Sequence, residues 1–364
     1  MKNLDKLTIV ILNHHANAPD LGGGGRHYDV AKYLSEKGHN ITILASSYDN
    51  GSKTYRCDEE IKESILNDKF KFVRFKTKPA LYDADKYFIV PRIDEEGYID
   101  IILSICKENN IKAVLSLIDP ELSLLAKHRQ AFLDIGTIPI VSDYEVVELC
   151  FDKYEMYKFL INNGFKTPKS YIDKEEFYKD VELGTIDYPV FVKPIKGSAS
   201  ININKVYSKE EVDLLFNRHN DLMIQEYMNG TEYGADVYID MISGEPVAIF
   251  TKEKIKMRAG ETDKSVSIKD DKLFELIKNF CKKVKFKGII DIDIFKVNDE
   301  YYISEVNPRF GGGYPHGYEC GVNIPKMIIE NIMGNINENV IGEYEEGIYM
   351  MKYNEVRVMK NSNK

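Results

Sequence analysis

The chain has 364 residues, enough for two or three domains, and 43% of them are hydrophobic, enough for a substantial core. Its net charge of −9 excludes a general nucleic-acid role, which needs a basic footprint, and its longest apolar runs, such as "AVLSLI" at 113–118, are too short to span a bilayer. The five cysteines (Cys57, Cys106, Cys150, Cys281, Cys320) form no CxxC or Cys/His ligand spacing, which points to reduced thiols in a cytoplasmic protein.

In chain order, "LTIVIL" (7–12) reads as a buried first strand rather than a signal peptide, because Asn13, His14 and His15 break the run and no small-residue cleavage site follows. A helix over 25–37, with Val30 and Leu34 on one face, is stopped by Gly38, and "NITILAS" (40–46) completes a β-α-β unit. "FKFVRFK" (70–76) alternates as a strand. A helix pattern runs from Tyr98 to Asn109, followed by the strand "AVLSLI", the helix "PELSLLAKHRQAFLDIG" and the strand "IPIVS". Residues 1–143 are therefore expected to form a Rossmann-like α/β leader domain. A helix follows from Tyr144 through "DKYEMYKFLINNG" to Gly164, with "KTPKS" as a linker. Strict βα alternation then ends. Residues 144–334 read as an α+β domain with a mobile lid over 188–228, and 335–364 as a tail with a short strand, "GIYMMKYN".

The strongest local pattern is "GIIDIDIFKVNDEYYISEVNP", a hairpin signature. With Asn298, Asp299 and Glu300 as the loop, Val297 faces Tyr301, Asp293 faces Glu305 and Asp291 faces Asn307. Period-two alternation places these four oxygen-bearing side chains on one face. Carboxylates paired across strands repel, so a hard cation between them explains the pattern, and oxygen-only donors suit Mg²⁺ shared with phosphates. In "YPVFVKPIKGSAS", Lys193 ends an apolar strand before a Gly-Ser-Ala-Ser turn. Its small residues let backbone N–H groups approach an anion. Lys153 lies in the helix near the domain junction.

Together, "FDKYEMYKFL", "YPVFVKPIKGSAS", "IQEYMNGTEYGADVYID", "TKEKIKMRAGETDKS", "GIIDIDIF" and "SEVNPRFGGGYPHGYECGVN" resemble the ATP-grasp superfamily over about residues 80–345. The similarity is closest to single-module proteins like the carbamoyl-phosphate synthase large subunit. The resemblance implies that Lys153 and Lys193 contact ATP phosphates and that Gly197 to Ser200, including Ser198, form a phosphate loop. It implies that Glu226 and the backbone of Tyr227 and Met228 meet adenine, and that Glu232 holds the ribose. It implies that Asp293, Glu305 and Asn307 bind Mg²⁺, for which Mn²⁺ can substitute, and that Arg258 and Arg309 steady the transferred phosphoryl group. Tyr314 and His316 would line an acceptor pocket, or simply pack.

Residues 1–78, with the run Gly22 to Gly25, instead resemble the start of a two-Rossmann-domain nucleotide-sugar glycosyltransferase, and 80–143 an ATP-grasp leader domain, with the seam near Pro79–Ala80. Without a donor domain, the glycine run is expected to serve as a tight turn. The expected function is an ATP- and Mg²⁺-dependent ligase. It would activate a carboxylate as an acyl phosphate for attack by an amine or thiol. The alternatives are a bicarbonate-using carbamoyl-phosphate module and a non-catalytic ATP-binding regulator. Its expected partners are small molecules and a second copy of the chain, with no nucleic acid and no membrane.

Overall fold

The computed structural model describes residues 8–12, 38–45, 48–49, 54–55, 63–67, 70–73, 86–197, 202–258 and 260–353. The expected helix over 25–37, the glycine run and the Pro79–Ala80 seam lie outside the described residues.

The leader domain is built on a parallel sheet of β1 (Thr8–Leu12), β2 (Asn40–Ala45), β7 (Lys86–Ile89), β8 (Ala113–Ser116) and β9 (Ile138–Pro139), in the order β7-β2-β1-β8-β9. β1 pairs in parallel with both β2 and β8, so strands from either side of the expected seam share one sheet. Between β2 and β7 lie two short antiparallel ladders, β3 (Tyr48–Asp49) with β4 (Thr54–Tyr55) and β5 (Glu63–Asn67) with β6 (Phe70–Val73). The helix Tyr98–Glu108 buries Tyr98, Ile102, Ile105 and Cys106, the stripe expected at helical spacing. The expected helix after β8 is two helices, Asp119–Lys127 and Arg129–Asp134, divided at His128. Their Leu122, Leu125 and Phe132 join Ile102 and Val114 in the leader core.

The helix expected from Tyr144 to Gly164 is likewise two, Tyr144–Phe151 and Lys153–Asn162. The break has a clear cause. Asp152 takes an extended conformation, and its carboxylate accepts the backbone N–H groups of Tyr154 and Glu155, a side-chain N-cap. Lys153 thereby becomes the first residue of a helix rather than an interior one.

A four-stranded antiparallel sheet follows, ordered β10-β13-β11-β12, from β10 (Ser170–Tyr171), β11 (Val190–Pro194), β12 (Asn204–Val206) and β13 (Leu222–Glu226). Tyr171 and the helix residues Phe177 and Tyr178 share its core with Val190, Val192 and Ile224. The subdomain therefore begins in the segment read as a linker, and not at 188. Its β12 and β13 are joined through the helix Lys209–Phe216.

The largest sheet is antiparallel and six-stranded, ordered β18-β17-β14-β15-β16-β19, from β14 (Thr231–Ile239), β15 (Pro246–Arg258), β16 (Glu261–Ile268), β17 (Gly288–Val297), β18 (Glu300–Asn307) and β19 (Tyr349–Met351). The helix Asp271–Val284 supplies Leu273, Phe274, Ile277, Phe280, Cys281 and Val284 to the core with Ile290, Ile292 and Ile294. The expected tail strand pairs with β16. Among the described residues no helix is long and apolar enough to cross a membrane.

Candidate active site

The acidic hairpin forms, with the register that alternation requires at its functional end. Its turn is shorter than expected. Asn298 and Asp299 both take positive φ, 49° and 64°, so the loop has two residues and Val297 pairs with Glu300. Ile294 then faces Ile303, but Asp293 faces Glu305, because Ser304 is bulged out. Beyond the bulge Asp291 faces Asn307. The extra residue in the strand offsets the residue missing from the turn.

The next strand adds to this face. β14 sets Asp236 beside Asp291 and Gly234 beside Asp293. A Cβ on Gly234 would lie 3.0 Å from Lys254 Cε and 3.2 Å from Lys252 Cε, so the glycine lets both lysines cross the sheet surface. Lys252 is 1% exposed and is ion-paired with the fully buried Asp236. The Lys254 ammonium donates to Glu232 at 2.9 Å and also to Asp293. Burial opposes the Lys254 charge, but the carboxylates of Asp293, Glu232 and Asp291 outweigh it and hold its pKa above the usual lysine value. Asp291 is pushed up to about 7 by burial and by its neighbours Asp293 and Asp236. Gly311 passes directly over it, where a Cβ would lie 2.2 Å from Asp291 Oδ1.

Basic groups converge from the smaller sheet. Lys193 is buried at the end of β11 and donates to Gln225 Oε1 at 2.7 Å. Burial lowers its pKa; Glu305 and Asp293 pull it up and Lys153 pushes it down, so these groups share one electrostatic neighbourhood. Lys153, at its helix start, donates to the Gly197 carbonyl at 2.5 Å. Its backbone N–H bonds the Ile195 carbonyl, and Asp152 bridges to Lys196. Ser198 and Ser200 lie outside the described residues.

At the far end of β13, Glu226 accepts the Lys169 backbone N–H at 3.0 Å. Tyr227 is half-exposed under the Lys205 ammonium, 3.6 Å from its ring centre, while Met228 is buried.

The two expected arginines behave differently. Arg309 is buried and bonds Asp119 and Asn307, with burial outweighed by the Asp119, Asp291 and Glu305 carboxylates that raise its pKa. Arg258 sits at the outer end of β15, 44% exposed in its side chain, and its ion pair is with Asp263 at 3.0 Å. Tyr314 is turned into the core. Its hydroxyl donates to the Val322 carbonyl and accepts from the Ile324 N–H. His316 is 1% exposed, with Nδ1 2.8 Å from Ser265 Oγ and Nε2 3.0 Å from the Ile348 carbonyl. Burial lowers its pKa to about 4. Both of these side chains are engaged in hydrogen bonds within the fold.

The sequence reading missed Lys252, Lys254, Gln225 and Asp119. The strand pattern in "TKEKIKM" carried a signal for the first two, since Lys252 and Lys254 share one face by period two. A separate concavity of about 590 Å³, lined by Phe165, Lys166, Lys272, Asp299 and Tyr301, lies at the turn end of the hairpin, away from the carboxylates.

Residues 150–313 match the family described as the ATP-grasp domain, and residues 73–140 the family described as the PylC-like N-terminal domain. The D-alanine–D-alanine ligase of Acetivibrio thermocellus is 29% identical over 48% of this chain and 55% of its own length. The arginine-specific carbamoyl-phosphate synthase large chain of Bacillus subtilis is 25% identical over 62% of this chain and 22% of its own length. The biotin carboxylase domain of the Hydrogenobacter thermophilus 2-oxoglutarate carboxylase, solved with MgADP and bicarbonate, superposes with a TM-score of 0.68 at 15% identity. It covers 94% of this chain and 73% of that one. The two family matches follow one another along the chain, the PylC-like N-terminal domain before the ATP-grasp domain. The chain spans about half the length of the ligase it matches.

Proposed function

We propose that this protein is an ATP-dependent ligase that phosphorylates a carboxylate and transfers the acyl group to an amine, releasing ADP and phosphate. The observation that carries the reading is the proximity of Lys193 and Arg309 to the Asp293–Glu305 pair, of which the Glu305 carboxylate acts on both cations. Phosphoryl transfer asks little covalent chemistry of a protein. It asks for positioning and for charge stabilisation around the phosphates.

In this reading Lys153 and Lys193 hold the phosphates beside the loop from Gly197 to Ser200. The adenine lies against Glu226, Tyr227 and Met228, and Glu232 exchanges its bond with Lys254 for the ribose hydroxyls. Asp293, Glu305 and Asn307 fit Mg²⁺, with Mn²⁺ as a substitute. All three offer oxygen, and Asp293 and Glu305 stand opposite each other across the hairpin. Oxygen donors of this kind suit a Mg²⁺ ion shared with phosphate oxygens. The bound ion would neutralise charge on the phosphates. Arg309 faces the transferred group, with Arg258 recruited from the β15–β16 hairpin tip. The acceptor is small, and the domain boundaries near 143 and 334 fit a leader, a catalytic body and a tail. A homodimer is the proposed assembly, in the cytoplasm.

The test is ADP release from Mg-ATP by the full chain, with pooled amino acids and small carboxylates, bicarbonate in a separate arm, and Glu305→Ala as control. Substrate-dependent ADP that vanishes in the control supports the ligase. ADP driven by bicarbonate alone supports a carbamoyl-phosphate-type module. Nucleotide binding without turnover in any arm rejects the ligase in favour of a regulator.

A further inference from the structure

The best-anchored cation of the site takes its anchor from outside the ATP-grasp domain. Arg309 Nε donates to Asp119 Oδ1 at 3.0 Å, and Nη2 to Asp119 Oδ2 at 3.4 Å and to Asn307 Oδ1 at 3.1 Å. Nη1 donates to the Phe310 carbonyl at 3.1 Å. A guanidinium has five N–H donors, so one Nη1–H is left without a partner among the described residues. The two side chains are 9% and 10% exposed.

Asp119 is itself rigidly placed. It opens the helix Asp119–Lys127 just beyond the carboxyl end of β8, beside the point where the leader strand order reverses between β1 and β8. That position is where open parallel sheets present groups to ligands. The helix start is tied down by Glu121, which accepts from Ser116 Oγ at 2.7 Å and Tyr98 Oη at 2.9 Å. Leu122 and Leu125 then bury it in the leader core.

We propose that Asp119 is a positioning residue for Arg309: the leader domain fixes the guanidinium fork so that its uncommitted donor is presented to the phosphoryl group being transferred. The proposal rests on the ligase reading above. Pairing with a carboxylate weakens the net charge that Arg309 offers a phosphate, so what the pair supplies is orientation. A donor already oriented needs no reorganisation when charge develops.

The test uses the full chain with Asp119→Ala, Asp119→Asn and, as control, Ser123→Ala. Ser123 lies on the same helix and donates to Glu148 Oε1 at 2.6 Å, so its loss loosens similar packing without touching Arg309. The first readout needs no acceptor: calorimetric affinities for the magnesium complexes of ADP and of the imido analogue of ATP. Asp119→Ala should lose about tenfold of the wild-type preference for the γ-phosphate, with ADP affinity held within about threefold. Asp119→Asn should fall between, since its amide oxygen still accepts from Nε. Ser123→Ala should keep the wild-type ratio. The second readout is turnover with the acceptor pool, where Asp119→Ala should lower kcat by about 10²-fold and leave the KM for ATP nearly unchanged. An unchanged preference in Asp119→Ala, or an equal loss in Ser123→Ala, overturns the proposal while the ligase reading stands. Wild type that binds neither nucleotide overturns both.

Discussion

Replacing Lys254 with Met removes an ammonium that joins the expected ribose carboxylate, Glu232, to the expected metal carboxylate, Asp293. Met keeps the length and most of the packing. The Lys254 side chain is 4% exposed, and its partners 28% and 25%. Breaking a fully buried pair costs about 3–5 kcal/mol; partners a quarter exposed recover part of that from water, leaving about 2–3 kcal/mol. In metal-free buffer at neutral pH the midpoint should fall by about 5–10 °C, at about 2–4 °C per kcal/mol for a domain of this size. The pH window follows from the raised pKa. The ammonium's contribution is fully present below the unfolded lysine value of about 10.4 and is lost only as pH rises through the higher folded value, so the gap persists at pH 9. Saturating Mg²⁺ should close at least half of it, because a divalent cation replaces the missing charge. The assay is thermal unfolding in chelator and in Mg²⁺. A gap of equal size in both would refute the shared electrostatic site, and no gap would refute Lys254 as its internal counter-ion.

Asp291→Asn should stabilise the metal-free protein at pH 8 and have little effect at pH 4. A carboxyl pushed up to about 7 in the folded state costs stability as pH rises from its unfolded value of about 4 through 7, and the amide escapes that cost. Melting curves across that range check it; a pH-independent change would count against the assignment. Asp152→Ala should cost about 1 kcal/mol by uncapping the helix that begins at Lys153. Because that helix start also carries the Lys153 bond to Gly197, the variant should raise the KM for ATP, and a melting shift with unchanged KM would separate cap from site.

Much of this architecture was legible because period and face are properties of sequence. Alternation places Asp291, Asp293, Glu305 and Asn307 on one face, and the structure keeps them there although its turn is one residue shorter than the sequence suggests. The bulge at Ser304 is what rescued it, and no local residue preference announces such a bulge. Asp152 was legible in principle, as an N-cap residue followed at the third position by Glu155, but the apolar periodicity on both sides read through it. Lys252 and Lys254 were hidden by their charge. Alternating lysines normally mark a solvated strand face, and only the carboxylates of neighbouring strands turn that face into an interior. Asp119 and Arg309 are 190 residues apart, and no pattern within either segment joins them. The Pro79–Ala80 seam rests on resemblance of short motifs alone; among the described residues, β1 and β2 before it and β7 and β8 after it share one sheet.

The Ser304 bulge also bears on how the hairpin avoids misfolding. Alternation penalises a slip of one residue, because Ile292 and Ile294 would leave the core for the acidic face. It says nothing against a slip of two, which keeps every side chain on its proper face while setting Asp293 against Asn307 and Phe295 against Glu305. Such a hairpin would bury as much and have no working carboxylate pair. The Asn298–Asp299 turn and the bulge together break this degeneracy, since a strand with one unpaired residue at a fixed place cannot slide past its neighbour and find an equivalent ladder.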